Sequence, residues 1–237
     1  MSTVARLDNV EHATLKLRRG HGARFGEAVN QVAVFASEFD QVQREYPILF
    51  LRNAEGSLQA VALLGFDRNE NLFLEGEHWD AAYVPALLRR GPFSIDLSGD
   101  EPVIQVDLAH SRIAEEDEDG EPVFKPHGGD APALGAASAA LRVLQAGQAA
   151  AAAMSALFDE LGLVEAVKLQ VQLTEHAVVN FDGYMAVTSE KIATLDGAAL
   201  ARLNRAGLLD VAVFAAASLG TMSRLIARKQ RRLAANG

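Results

Sequence analysis

The stretch from about Ala133 to Gly162 is built largely of alanine, with Leu134, Leu141, Leu144, Met154, Phe158 and Leu161 recurring among them. Their spacings fall close to roughly 3.5 residues or multiples of it, which predicts one long helix with an apolar stripe. Its alanine faces permit close approach of a neighbouring element, while Gly147 reads as a weak point and Gly162 as the stop. The rest of the chain has to be arranged around that helix.

Upstream, the pattern is mostly β. Ala13–Leu17 alternates, and Gly20, Gly22 and Gly26 follow in what reads as an irregular loop. Ser37 is a good N-cap with Asp40 three positions on, and Phe39, Val42 and Tyr46 share a helical face, so a short helix is expected to about Glu45, ended by Pro47. Ile48–Arg52 and Ser57–Leu64 flank the turn-rich Asn53-Ala54-Glu55-Gly56 and predict a β-hairpin, with Leu72–Leu74 as a further short strand. Pro85, Gly91 and Pro92 delimit one or two turns of helix. Phe93–Leu97 and Val103–Leu108 are again β-like, with Asp100 in the turn between them.

Composition then shifts. Glu115–Glu121 is almost wholly acidic, and Pro122, Pro126, Gly128, Gly129 and Pro132 follow, as in a surface loop or connection. Beyond the long helix, Val167–Thr174 and Val178–Phe181 read as a strand pair. Ser189 and Asp196 are expected to cap helices at Glu190–Leu195 and Gly197–Arg205, and Leu208–Leu233 forms a final helix whose middle is apolar on every face. Such a helix is buried or pressed against a partner. The fold class expected is therefore α+β: a mainly β part at 1–110, an acidic connection at 111–132 and a mainly helical part at 133–237, packed together as one domain.

Composition excludes several function classes. With no cysteine among 237 residues, disulfides, thiolate zinc sites and a cysteine nucleophile are absent. A formal charge of −9 disfavours general nucleic-acid binding. The exception is Arg228-Lys229-Gln230-Arg231-Arg232, read first as cations opposing the negative end of a helix dipole and second as a docking patch. The start, MSTVARLDNVEH, lacks the basic and apolar regions of a secretory signal, and the longest apolar run, about Val211–Leu219, is short of the ~18–20 residues of a membrane span. A cytoplasmic protein without a transmembrane segment is expected.

Catalytic motifs are sparse. His78-Trp79-Asp80 offers an H-x-D that, with His110, His127 or His176, would complete the two-histidine, one-carboxylate face of a non-haem Fe(II) oxygenase; a solvated loop is the plainer account. Glu115–Gly120 imitates the start of a calcium loop, but its twelfth position is Pro126 instead of the closing glutamate. Gly20–Gly26 approaches a dinucleotide fingerprint without a surrounding βαβ unit. No G-x-S-x-G, P-loop or H-E-x-x-H is present. Trp79, the only tryptophan, lies close in sequence to Tyr83, Arg89 and Arg90, residue types that anchor binding surfaces. The competing account has Trp79 and Tyr83 in the core and the arginines closing a helix.

EFDQVQREYPILF, ALLGF, NLFLEG, Trp79, YVPALLRRGPF, FDGYMAVTSEKIATL and LNRAGLLDVAVFAAASLGTMSRL, in this order, resemble the SapC family over most of the chain. The family takes its name from a link to S-layer protein transport. The resemblance implies a bacterial accessory protein, since relatives tend to be encoded beside flavin-dependent halogenases and TonB-dependent receptors, and it carries no catalytic residues across. The expectation is thus a non-enzymatic binding protein without a cofactor. It would meet a protein partner or a second copy through Trp79, Tyr83, Arg89 and Arg90 or through the apolar C-terminal helix. The alternative is an oxygenase using His78 and Asp80.

Overall fold

The computed structural model describes residues 3–99, 101–115, 118–167, 169–172 and 178–236. The fold is α+β, and the strand pairs among the described residues are antiparallel. Along the chain come β1 (Val4–Arg6), β2 (Lys16–Leu17), β3 (Gln31–Ala33), α1 (Phe39–Val42), the hairpin β4 (Ile48–Arg52) and β5 (Leu58–Leu63), and a smaller hairpin, β6 (Leu74–Glu75) and β7 (His78–Trp79). Then follow α2 (Ala86–Arg89), β8 (Phe93–Asp96), β9 (Val103–Asp107), β10 (Glu121–Pro122) and the long α3 (Pro132–Glu160). The chain continues through β11 (Val164–Ala166), β12 (Leu169–Gln172), β13 (Val178–Phe181) and β14 (Met185–Val187) to α4 (Ser189–Ala193), α5 (Gly197–Arg205), α6 (Leu209–Ser218) and α7 (Met222–Asn236).

These elements form two compact units, each drawn from separate stretches of sequence. The first comprises Met1–Glu27, Leu74–Asp80 and Ala86–Gln145. Its main sheet runs β1-β9-β8, with Val4 opposite Asp107 and Phe93 opposite Val106. Phe93, Val106, Val123, Phe124, Leu134 and Leu141 make its core, under which Leu15, Leu17 and Ile104 pack. The acidic stretch 111–132 therefore belongs to a folded unit: β10 pairs with β2, and the Glu118 carboxylate takes the Arg18 guanidinium at 2.7 Å. Its charges conceal the buried pair Val123-Phe124. Asp100, Glu116 and Asp117 lie outside the described residues.

The second unit comprises Ala28–Phe73, Ala81–Pro85 and Ala146–Gly237, around a five-stranded sheet of order β11-β14-β4-β5-β3. Ile48, Leu49, Phe50, Ala60, Val61, Ala62 and Leu63 are all buried. Both faces of β4 and β5 are thus covered, which is why the sequence there runs apolar instead of alternating. The Phe50 ring meets Phe39 at 6.4 Å and Phe158 of α3 at 6.1 Å, edge to face. Two serines on helices complete the backbone bonding of the sheet. Ser155 Oγ accepts from the Leu58 N–H at 2.9 Å, and Ser218 Oγ accepts from the Ile48 N–H at 2.8 Å. Each satisfies a donor that burial would otherwise leave unpaired.

The C-terminal run differs from one continuous helix. A 3-10 turn, Leu219–Thr221, joins α6 to α7. Ser218 Oγ and Thr221 Oγ1 donate to the carbonyls of Ala215 and Ser218, back-bonding of the kind that bends helices. The combined run Leu209–Ala235 is long and apolar enough to cross a membrane by length and composition. Within this unit Val211, Ala212, Ala215, Ala216 and Leu225 are buried, as in a core helix. The basic tail is used differently from the helix-dipole expectation. Lys229 Nζ donates to Asp67 and Glu70 at 2.5 and 2.7 Å, Arg228 lies 4.5 Å over the Phe73 ring, and Arg232 donates to the Asn71 carbonyl. Burial opposes the Lys229 charge, but the hydrogen bonds it gives to the two carboxylates, with their charges, outweigh burial and raise the ammonium pKa. At α4 the cap is Thr188, one residue earlier than expected, whereas Asp196 caps α5 by accepting from the Ala199 N–H at 2.7 Å.

Candidate functional site

Gly147 turns out to be a packing residue inside an unbroken helix. A Cβ there would lie 2.2 Å from Phe35 Cβ and 2.7 Å from Ser37 Oγ, so only glycine lets the 3-10 turn Ala36–Glu38 lie against the α3 backbone. Glu38 holds that turn through its Oε1, which accepts from the Phe35 N–H. On the other side, α5 ends at Gly207 (φ 65°), a left-handed position that glycine adopts without strain, and the chain reverses into α6.

These approaches leave a groove of about 370 Å³ within the second unit. Its walls are made small by Ala36, Ala146, Ala150 and Ala206, and its apolar end is supplied by Val211 and Phe214. Two carboxylates, Asp40 and Asp210, also line it. Asp40 Oδ2 accepts from Gln41 Nε2 at 2.8 Å and Asp210 Oδ1 from the Val211 N–H at 2.9 Å. Neither has an ion-pair partner among the described residues. Chemically this is a shallow, negatively charged cradle for small apolar groups.

The residues singled out from sequence are placed elsewhere. Trp79 is 3% exposed in the first unit, its ring 5.5 Å from that of His21. With so little surface it cannot anchor a docking face, and the core account of this side chain is the one the structure shows. Tyr83 belongs to the second unit, where its hydroxyl donates to Glu38 at 2.8 Å and its carbonyl accepts from the Tyr46 hydroxyl. Arg90 donates to the Phe93 carbonyl at 2.7 Å, while Arg89 is exposed at the end of α2. His78 is exposed on β7, opposite Glu75, with Asp80 half-buried beyond it. His110 Nδ1 accepts from the Arg112 N–H, and burial followed by the Arg112 charge lowers its pKa; His127 is exposed. His176 lies outside the described residues, and among those described no three imidazoles or carboxylates gather as metal ligands would.

One buried cluster had no sequence signal. Glu27, 2% exposed, receives the Arg112 guanidinium, the Gly22 N–H at 2.8 Å and His21 Nδ1 at 3.2 Å from both carboxylate oxygens. Burial pushes the Glu27 pKa up, but the His21 bond, the Gly22 N–H and the Arg112 charge together bring it below the ordinary range. Arg112 also lies 4.1 Å over the Phe25 ring and donates to the Gly20 carbonyl. With each polar group facing another within the unit, the cluster fixes the glycine-rich loop 20–26. Eighty-five positions separate Glu27 from Arg112, so nothing local marks the pair.

Residues 7–225 match the family model described as SapC. No curated protein and no solved structure matches the chain.

Proposed function

Since the chain belongs to the SapC family, we propose that it acts as a non-enzymatic accessory protein of the bacterial cytoplasm that binds a protein segment in the groove of its second unit. The observation that carries this reading is the groove's lining. Small apolar side chains from three separate stretches meet there around an open hollow, a shape that accepts protruding side chains of another chain.

The test is to fill the groove. Ala150 is half-buried on α3, and Ala150→Trp places an indole in the hollow while leaving the sheet untouched. Purification from the native host should retain a specific protein chain with the parent and lose it with Ala150→Trp, at equal melting temperature. An identical set of retained chains would refute the groove as the binding surface.

A further inference from the structure

α7, in the same unit as the groove, has a repeating outward face. Arg224, Ala227, Arg231 and Ala234 follow one another at three- and four-residue steps, which places them along one stripe of the helix. Arg224, Arg231 and Ala234 are exposed and Ala227 is half-buried. The opposite face is occupied: Leu225 and Lys229 are buried, and Arg228 and Arg232 are engaged with Phe73 and Asn71. Arg224 gives one N–H to the Arg44 carbonyl at 2.5 Å, and neither it nor Arg231 has an ion-pair partner among the described residues.

This stripe is the chemical counterpart of the groove. One presents cations seven residues apart, about 10 Å along the helix, with Ala227 between them and Ala234 beyond. The other presents two carboxylates with no ionic partner around alanine walls. Small residues on both sides allow the backbones to come within the ~8–10 Å of closely packed helices. Resting on the reading of the groove as a docking site, we infer that its occupant is α7 of a second copy of this chain. A two-fold dimer makes each groove–helix contact twice. The overall charge of −9 repels two copies at a distance, so the local pairing of unlike charges sets the register and is screened by salt.

Charge reversal gives a decisive experiment on the full chain. Sedimentation of the parent at low salt should show mass rising with concentration from one chain to two. Asp40→Arg/Asp210→Arg has both surfaces basic and Arg224→Glu/Arg231→Glu has both acidic, so each alone should sediment as a single folded chain. Mixed one to one, they should form a two-chain species, because each groove then meets a complementary helix. A parent that stays single up to roughly 100 µM, well above micromolar association, would overturn the inference, as would a dimer indifferent to both reversals. If the parent is single while Ala150→Trp loses a foreign chain, the groove reading stands and only the second copy falls. A dimer that persists in Ala150→Trp uses another surface and overturns the second copy as occupant, while the groove reading is still decided by the chain that Ala150→Trp retains or loses.

Discussion

Gly147→Ala should lower the melting temperature by about 6–12 °C, the shift expected of a loss near 3 kcal/mol in a chain this long. The added carbon would sit 2.8 Å from Phe35 Cγ and 2.2 Å from Phe35 Cβ, an atom whose place the backbone fixes. No rotamer change relieves such an overlap, so either α3 or the 36–38 turn has to shift. The same substitution at Gly135, on the same helix, meets nothing within 4 Å. There the helix propensity of alanine should add roughly 0.5–1 kcal/mol. Thermal or urea melts of both variants read the contrast directly. Because Ala146 and Ala150 flank the strained position, Gly147→Ala should also weaken whatever the groove holds.

Glu27→Ala is the second large effect, with an expected loss of about 3–5 kcal/mol by urea denaturation. Removing this carboxylate strands the Arg112 guanidinium, whose side chain is only 13% exposed, and frees the Gly22 N–H and His21. Glu27→Gln keeps the shape and isolates the charge. Because the folded pKa is below its ordinary value of 4.5, the unfolded chain binds the proton more readily between the two values. The contribution is therefore complete above about pH 4.5 and is lost as pH falls through the depressed value. Stability against pH for the parent minus that for Glu27→Gln should show this decline on the acid side. Glu118, Asp159 and Glu160 are also lowered by their arginine partners and remain in both proteins, so the difference curve belongs to Glu27.

Much of the architecture could be read from local chemistry. The β4–β5 hairpin follows from Asn53, whose side chain accepts from the N–H groups of Glu55 and Ser57 and so closes the turn. Gly91 (φ 55°) ends α2 and Gly162 (φ 59°) follows α3, as their spacing from the helices predicts. What escaped was decided by distant partners. β1, β3 and β14 are three residues each, too short for a pattern, and are strands because β9, β5 and β4 supply their hydrogen bonds. Two hydroxyls that bond the preceding turn interrupt an apolar run that otherwise reads as one helix.

The candidate site was less legible than the fold. Asp40 reads as part of a capping box and Ala146 and Ala150 as helix filler; only folding makes them one surface. Trp79 misled for the opposite reason. Its rarity and its arginine neighbours resemble a hot spot, whereas strand alternation in β7 turns His78 outward and the indole toward His21.

If the groove between Ala150 and Phe214 meets another protein chain, site-specific photo-crosslinking in living cells should capture that chain. A photoreactive residue at Val213, 45% exposed beside Phe214, should yield a discrete crosslinked protein, this chain or another, that disappears when Ala150→Trp is combined with it. The same probe at Glu55, an exposed hairpin position outside the lining, should yield none. Equal crosslinking from both positions, or a Val213 product unaffected by the tryptophan plug, would show that the groove is not the binding surface.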